Sequence, residues 1–239
     1  MMTLIAKYLN EHGLEALQPR AVLFDMDGVL YDSMPLHAEA WQQSMAKFGI
    51  SMTAADAYAT EGARGIDTIR AMVEKQQGRL IGDEEAQEMY DEKTRIFHAM
   101  HEAPVMAGIP EVLALIASKG VEMGVVTGSG QRPLIERLLK DFGRYLTREH
   151  IVTAYDVRHG KPHPEPYEEG LRKMGHLRPW EAIVVENAPL GVRAGVAAGC
   201  LTVAVNTGPL PHQVLAEAGA HMVFNDMYEL CNHWSAIVC

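Results

Sequence analysis

The apolar positions of this chain change period along its length, and each change marks a different kind of element. Residues 1–18 carry Leu4, Ile5, Tyr8, Leu9, Leu14 and Leu17 at near-helical spacing, with Gly13 as a break. This predicts an extra helical segment packed on a larger domain. Ala21-Val22-Leu23-Phe24 is instead a short unbroken apolar run that ends in acidic residues and glycine. Such a run reads as a buried parallel strand whose carboxyl end opens into a site. Over residues 34–104 no strand run appears, and segments 35–48, 53–60, 67–77 and 83–101 place apolar residues three and four apart. The spacing predicts an inserted helical domain over 34–104, with Pro104 and Gly108-Ile109-Pro110 at its exit. From 109 onward helical patterns (110–119, 131–140, 165–174, 190–198) alternate with strand patterns (121–126, 151–153, 182–186, 201–205). That alternation predicts an α/β core, residues 1–33 and 105–239, with an open parallel sheet between helices and right-handed crossovers. Ligands then belong beyond the carboxyl ends of the strands.

Composition narrows the functions available. With 239 residues, 48% of them hydrophobic, the chain buries a sizeable core. A formal charge of −10 without a basic stripe argues against nucleic-acid or anionic-membrane partners, so an anionic substrate needs a metal and a few placed cations. Cys200, Cys231 and Cys239 are too few and too late for a disulfide framework. Cys200 reads as a small buried hydrophobe and Cys239 as a frayed terminus. Lys7 and Asn10 interrupt any signal-peptide core, and no run approaches ~20 apolar residues. A cytoplasmic monomer is expected. The fourteen methionines suit adaptable core packing, and His98, His101 and Glu102 read as surface residues.

Chemistry concentrates at four strand ends. Asp25 and Asp27 in Phe24-Asp25-Met26-Asp27-Gly28-Val29-Leu30 crowd two carboxylates on one loop, where they need a cation, a shared proton or strong hydrogen bonds. Mg2+ suits them, because it is a hard ion that takes carboxylate oxygens. Thr127-Gly128-Ser129-Gly130 offers a hydroxyl and free amides for a phosphate, and is equally an ordinary turn before a helix. Lys161 sits in a loop stiffened by Pro162, Pro164 and Pro166, flanked by His159 and His163. Glu186 and Asn187 offer oxygens for a hard metal, although Asn187 alone is also a good helix N-cap.

These four motifs, in order and at matching separations, resemble the haloacid dehalogenase superfamily in its beta-phosphoglucomutase-like branch. The resemblance implies a Rossmann-like core with a helical cap of the C1 type inserted after the first strand. It further implies Asp25 as the nucleophile forming an aspartyl phosphate and Asp27 as general acid and base. Thr127 and Lys161 would hold phosphoryl oxygens, alongside Gly128 and Ser129. Mg2+ would be held by Asp25, the Asp27 carbonyl, Glu186 and Asn187.

Two departures bear on the substrate. The branch commonly has Glu-Asp where this chain has Glu186-Asn187, and its cap commonly carries a lysine where this chain has Glu61 in Thr60-Glu61-Gly62-Ala63-Arg64-Gly65. We expect the two to be linked, with Glu61 restoring near the metal the charge lost at Asn187. Together with Val205-Asn206-Thr207-Gly208-Pro209-Leu210, they look most like a bacterial inorganic pyrophosphatase of the branch. Arg64 or Arg70 would bind a distal phosphate, and His37 sits near the cap hinge. The leading expectation is hydrolysis of inorganic pyrophosphate. The alternatives are a beta-phosphoglucomutase-like isomerase or small sugar-phosphate phosphatase and, more remotely, a non-catalytic phosphate or metal sensor.

Overall fold

The apolar run after residue 20 forms the centre of the sheet. The computed structural model describes residues 2–130 and 132–238, so Cys239, expected to fray, lies outside the described residues. In chain order the elements begin with α1 (Met2–His12), β1 (Ala21–Phe24), α2 (Met34–Lys47), α3 (Ala54–Ala59), α4 (Gly65–Gln77) and α5 (Asp83–His98). They continue with α6 (Ile109–Ser118), β2 (Glu122–Val126), α7 (Arg132–Phe142), β3 (Ile151–Val152) and α8 (Glu165–Lys173). The rest are β4 (Ala182–Glu186), α9 (Pro189–Ala197), β5 (Leu201–Val205), α10 (His212–Glu217), β6 (Met222–Phe224) and α11 (Met227–Ile237).

All strand pairs are parallel, in the order β3-β2-β1-β4-β5-β6. Helices cover both faces, which is why β1, β4 and β5 are buried at every position and read as continuous apolar runs. One face packs Val22, Phe24, Val125, Ile183 and Val203 against α6 and α11; the other packs Leu23, Val126 and Val184 against α8 and α9. β1 pairs in register with β2 on one side and β4 on the other, so Phe24 stands beside Val125 and Val185. The residues following these three strands therefore meet at one edge.

The helices α2 to α5 enclose an apolar cluster of their own, Trp41, Met45, Ile50, Met52, Ile69, Met72, Val73 and Met89 among it. Local signals set their ends. Thr53 and Asp56 form a capping box at α3, and Gly78 closes α4 in the left-handed conformation. The helix expected over 83–101 stops at His98. The sheet also extends beyond expectation: β6, α10 and α11 follow the last strand anticipated from sequence. Tyr8 and Leu17 of the N-terminal segment are buried, and the Tyr8 hydroxyl donates to the Gly199 carbonyl (2.8 Å). Among the described residues no helix is long and apolar enough to cross a membrane.

Candidate active site

Asp25 follows β1 directly, and its backbone N–H donates to the Val185 carbonyl, continuing the ladder with β4 (3.0 Å). The Lys161 loop crosses the same edge and sends its side chain inward. Lys161 Nζ donates to Asp25 Oδ1 (2.5 Å), Glu186 Oε1 (2.6 Å) and the Val126 carbonyl (3.0 Å). One ammonium thus joins the ends of β1, β2 and β4. Burial alone would strip its proton, but Asp25 and Glu186 beside it more than offset this and keep it charged. Burial pushes the Asp25 carboxyl up, Lys161 pulls it back, and Glu186 and Asp27 add to the rise.

Glu186 is saturated: Oε1 accepts from Lys161 and the Tyr167 hydroxyl (2.7 Å), and Oε2 from the backbone N–H groups of Asn187 and Ala188 (3.1 and 3.3 Å). Its visible work is to hold Lys161, which leaves little of it for direct contact with a metal. Asn187 does not cap α9, whose N-cap is Ala188. Its Nδ2 donates instead to Glu61 Oε1 (2.7 Å), across 126 residues of sequence. Glu61 and Asn187 are therefore in direct contact. Glu61 is buried, and its carboxyl is raised well above the usual range by that burial; the hydrogen bond from Asn187 opposes the rise and the charges of Asp25, Glu186 and Asp27 add to it.

Two glycines make this approach feasible. Gly28, at φ +74°, leaves the space in which a Cβ would lie 2.0 Å from Asn187 Nδ2 and 2.9 Å from Glu61 Oε1. Gly62, at φ +85°, lets the turn after α3 lie on the Lys161 side chain, 3.1 Å from where its Cβ would be.

Asp27 faces a cavity of about 70 Å3 lined also by Asp25, His37, Glu61, Gly128 and Ser129. It accepts from the Ser33 hydroxyl (2.6 Å), and His37 Nε2 lies 3.1 Å from the same Oδ1. On the far side of that ring, Lys93 Nζ is 2.7 Å from His37 Nδ1. A charged ammonium only donates, so His37 Nδ1 accepts and Nε2–H is directed at Asp27. Burial works to raise the Asp27 carboxyl, but His37 and Ser33 outweigh it and hold it at about 2. Burial and the Lys93 charge lower the His37 imidazole, keeping it neutral. Sequence reasoning missed Lys93, Ser33 and Tyr167. Lys93 did leave a signal, being a charge on the stripe Ala86-Met89-Tyr90-Lys93-Phe97 of α5.

The remaining expectations divide. Thr127 is buried and its Oγ1 accepts from the Ser129 N–H (3.0 Å), shaping the turn whose Gly128 and Ser129 reach the cavity. Arg64 does not line that cavity. Its guanidinium binds Asp67 (2.8 and 3.1 Å) and the Arg158 carbonyl (2.9 Å), bridging the helical insert to the loop before Lys161. Arg70 pairs with Asp67 and Asp83 instead. Cys200 is buried, as expected, and burial pushes its thiol up to about 12. His98, His101 and Glu102 are exposed.

The donor set fits a hard divalent cation. Asn187 Oδ1 is buried with no hydrogen-bond partner among the described residues, and the Asp25 and Glu61 carboxyls, both pushed up by burial, add oxygen donors that a bound cation would ionise.

A parallel sheet with aspartates after its central strand and a buried lysine bridging two more strand ends defines a phosphoryl-transfer class of α/β enzyme. Residues 19–199 match the haloacid dehalogenase-like hydrolase family, and the chain belongs to it. It is 34% identical over 191 residues to hexitol phosphatase A of Escherichia coli, covering 78% of this chain and 83% of that one. It is 30% identical over 207 residues to a phosphorylated carbohydrates phosphatase of Thermotoga maritima, covering 84% and 91%. Among solved structures, a protein of Bacteroides vulgatus provisionally assigned as a beta-phosphoglucomutase superposes with a TM-score of 0.93 at 45% identity, over 98% of this chain and 95% of that one. None of these three bears a pyrophosphatase name, so the expected preference for pyrophosphate draws no support from them.

Proposed function

We propose that this protein is a Mg2+-dependent phosphatase of small phosphorylated sugars or polyols, working through an aspartyl phosphate on Asp25. The observation that carries the reading is the Lys161 bridge between Asp25 and Glu186, with Asp27 facing the same cavity. The sugar-phosphatase names of two relatives support the substrate class.

In this reading an Asp25 oxygen attacks phosphorus, and Asp27 gives a proton to the departing alcohol. Asp27 then takes a proton from the water that cleaves the acyl phosphate, which returns Asp25 and releases phosphate. The low Asp27 carboxyl means that this group rests ionised, so the acid step requires it to take up a proton once the substrate is bound. Lys161 and the Gly128 and Ser129 amides stabilise charge on the phosphoryl oxygens. Mg2+, held by Asp25, the Asp27 carbonyl, Asn187 and Glu61, would neutralise phosphate charge during transfer. Residues 34–104 act as a cap that excludes bulk water from the core formed by 1–33 and 105–239.

Inorganic pyrophosphate is the second reading. It is favoured by the Glu61–Asn187 contact and by a cavity of about 70 Å3, small beside the ~300–1,000 Å3 of ordinary ligand sites. Phosphate release with Mg2+ should be compared across hexose, hexitol and glycerol phosphates, acetyl phosphate, nucleotides and pyrophosphate, with glucose 1- and 6-phosphate interconversion followed separately. Highest kcat/KM on a sugar or polyol phosphate supports the proposal. A clear preference for pyrophosphate replaces it with the second reading, and net isomerisation replaces it with a mutase. Asp25→Asn should abolish turnover and leave the fold unchanged.

A further inference from the structure

We propose that His159, His163 and Glu165 form a binding site for a borderline divalent ion of the Zn2+ type, on the outer side of the loop that presents Lys161. Their ligand atoms all lie within 4.8 Å of one another. The loop is built to bring them together. Glu165 opens α8, and its carboxylate accepts from the backbone N–H groups of Arg158 (2.7 Å) and His159 (2.9 Å). The His163 N–H donates to the Gly160 carbonyl (3.0 Å), folding the loop back so that the two imidazole rings stand 4.6 Å apart. His159 Nδ1 is 2.7 Å and His163 Nδ1 3.9 Å from the same Glu165 Oε2.

The Glu165 N–H donates to His163 Nδ1 (3.2 Å), so an ion on that nitrogen would displace this hydrogen bond. His159 Nδ1, facing a carboxylate, carries the proton that an ion would displace. Metal–nitrogen bonds of ~2.0–2.1 Å set tetrahedral ligands about 3.3 Å apart. The contraction needed is modest for side chains this exposed, at 64%, 49% and 27%. Two imidazoles and one carboxylate suit Zn2+, Ni2+ or Cu2+ and not Mg2+, which prefers oxygen and water. Opposing features are the α8 N-terminus and the Arg64 guanidinium at the Arg158 carbonyl; Glu165 offsets them with a full negative charge. An ion here spans residues 159–165 and so clamps the segment whose Lys161 reaches Asp25.

The test uses the full chain in excess Mg2+, titrated with Co2+ and followed by d–d absorption, with Zn2+ then added as competitor. The expected result is one Co2+ bound through imidazole and displaced by Zn2+. Affinity should weaken about tenfold or more in His159→Ala and in His163→Ala, while His163→Ala keeps its Mg2+-dependent turnover and its metal-free Tm. Absence of Co2+ binding in excess Mg2+ overturns the proposal. So does binding of equal strength in both histidine variants, which would place the ion among the carboxylates of the Asp25 centre or on cysteine.

Discussion

Replacing Lys93 with methionine should separate the cost of a buried ammonium from its use. Lys93 is 3% exposed, lies over the rings of Trp41 and Phe97, and has its pKa lowered from 10.5 to about 8, chiefly by burial. At ~1.36 kcal/mol for each tenfold change in proton affinity, that difference is about 3 kcal/mol of destabilisation while both folded and unfolded chains hold the proton. Between pH 8 and 10.5 the unfolded chain binds the proton and the folded chain does not, so this contribution makes stability rise with pH. Lys93→Met removes that dependence. It also leaves His37 Nδ1 buried without its donor, at about 1–3 kcal/mol, so the variant at pH 7 should be between equal to wild type and about 2 kcal/mol more stable. Its advantage should then shrink by about 3 kcal/mol by pH 10.5, read from urea unfolding followed by tryptophan fluorescence. At the site, loss of the donor frees the His37 tautomer, and kcat should fall about tenfold, short of the ~10²–10⁴ of acid–base catalysis itself. A stability difference that stays constant from pH 7 to 10.5 would refute a buried ammonium at this position.

Tyr167→Phe removes a donor from the buried Glu186 carboxylate and should cost about 1–3 kcal/mol in urea unfolding; a neutral result would mean that Glu186 does not depend on it. Gly28→Ala forces a Cβ against Asn187 Nδ2 at positive φ, so it should lower stability by at least about 1 kcal/mol and weaken Mg2+ binding measured calorimetrically. Unchanged Mg2+ affinity there would separate Asn187 from the ion. Arg64→Ala deletes the bond to the Arg158 carbonyl, worth about 0.5–1.5 kcal/mol. Steady-state kinetics should show KM raised about two- to tenfold with kcat nearly unchanged; a collapse of kcat would instead give Arg64 a role at the reacting phosphate.

The sheet centre and the insert were legible because their physics is local. A strand buried on both faces is a continuous apolar run, and the helices of the insert carry their period in each turn. β6 was not, since three residues at a sheet edge, preceded by His221, make too short a run to stand out. α11 is a different case: Met227, Leu230, Trp234 and Ile237 had helical spacing available to read. Motif order brought Asp25, Lys161 and Glu186 together correctly, but no spacing says that four donors will saturate Glu186. Arg64 shows the same limit, because its partner outside the insert is a main-chain carbonyl 94 residues away, and main-chain groups carry no sequence signal.

The exchange of a carboxylate for an amide at Asn187 makes physical sense only together with Glu61. An aspartate at 187 would set two carboxyl groups where Nδ2 and Oε1 now lie 2.7 Å apart, a pair that needs a shared proton or a cation to coexist. The amide resolves this by donating to Glu61 with one atom and leaving Oδ1 buried, with no partner among the described residues. One side chain thereby ties the turn after α3 to the core and leaves an oxygen that, on the proposed function, would serve an ion. On the proposed function, closure and metal binding would depend on the same pair, and a substrate that draws Mg2+ into the site would also favour the closed insert. That coupling suits a substrate recognised largely through its phosphate and metal. On that reading the size of the leaving group, more than the chemistry at Asp25, would separate sugar phosphate from pyrophosphate.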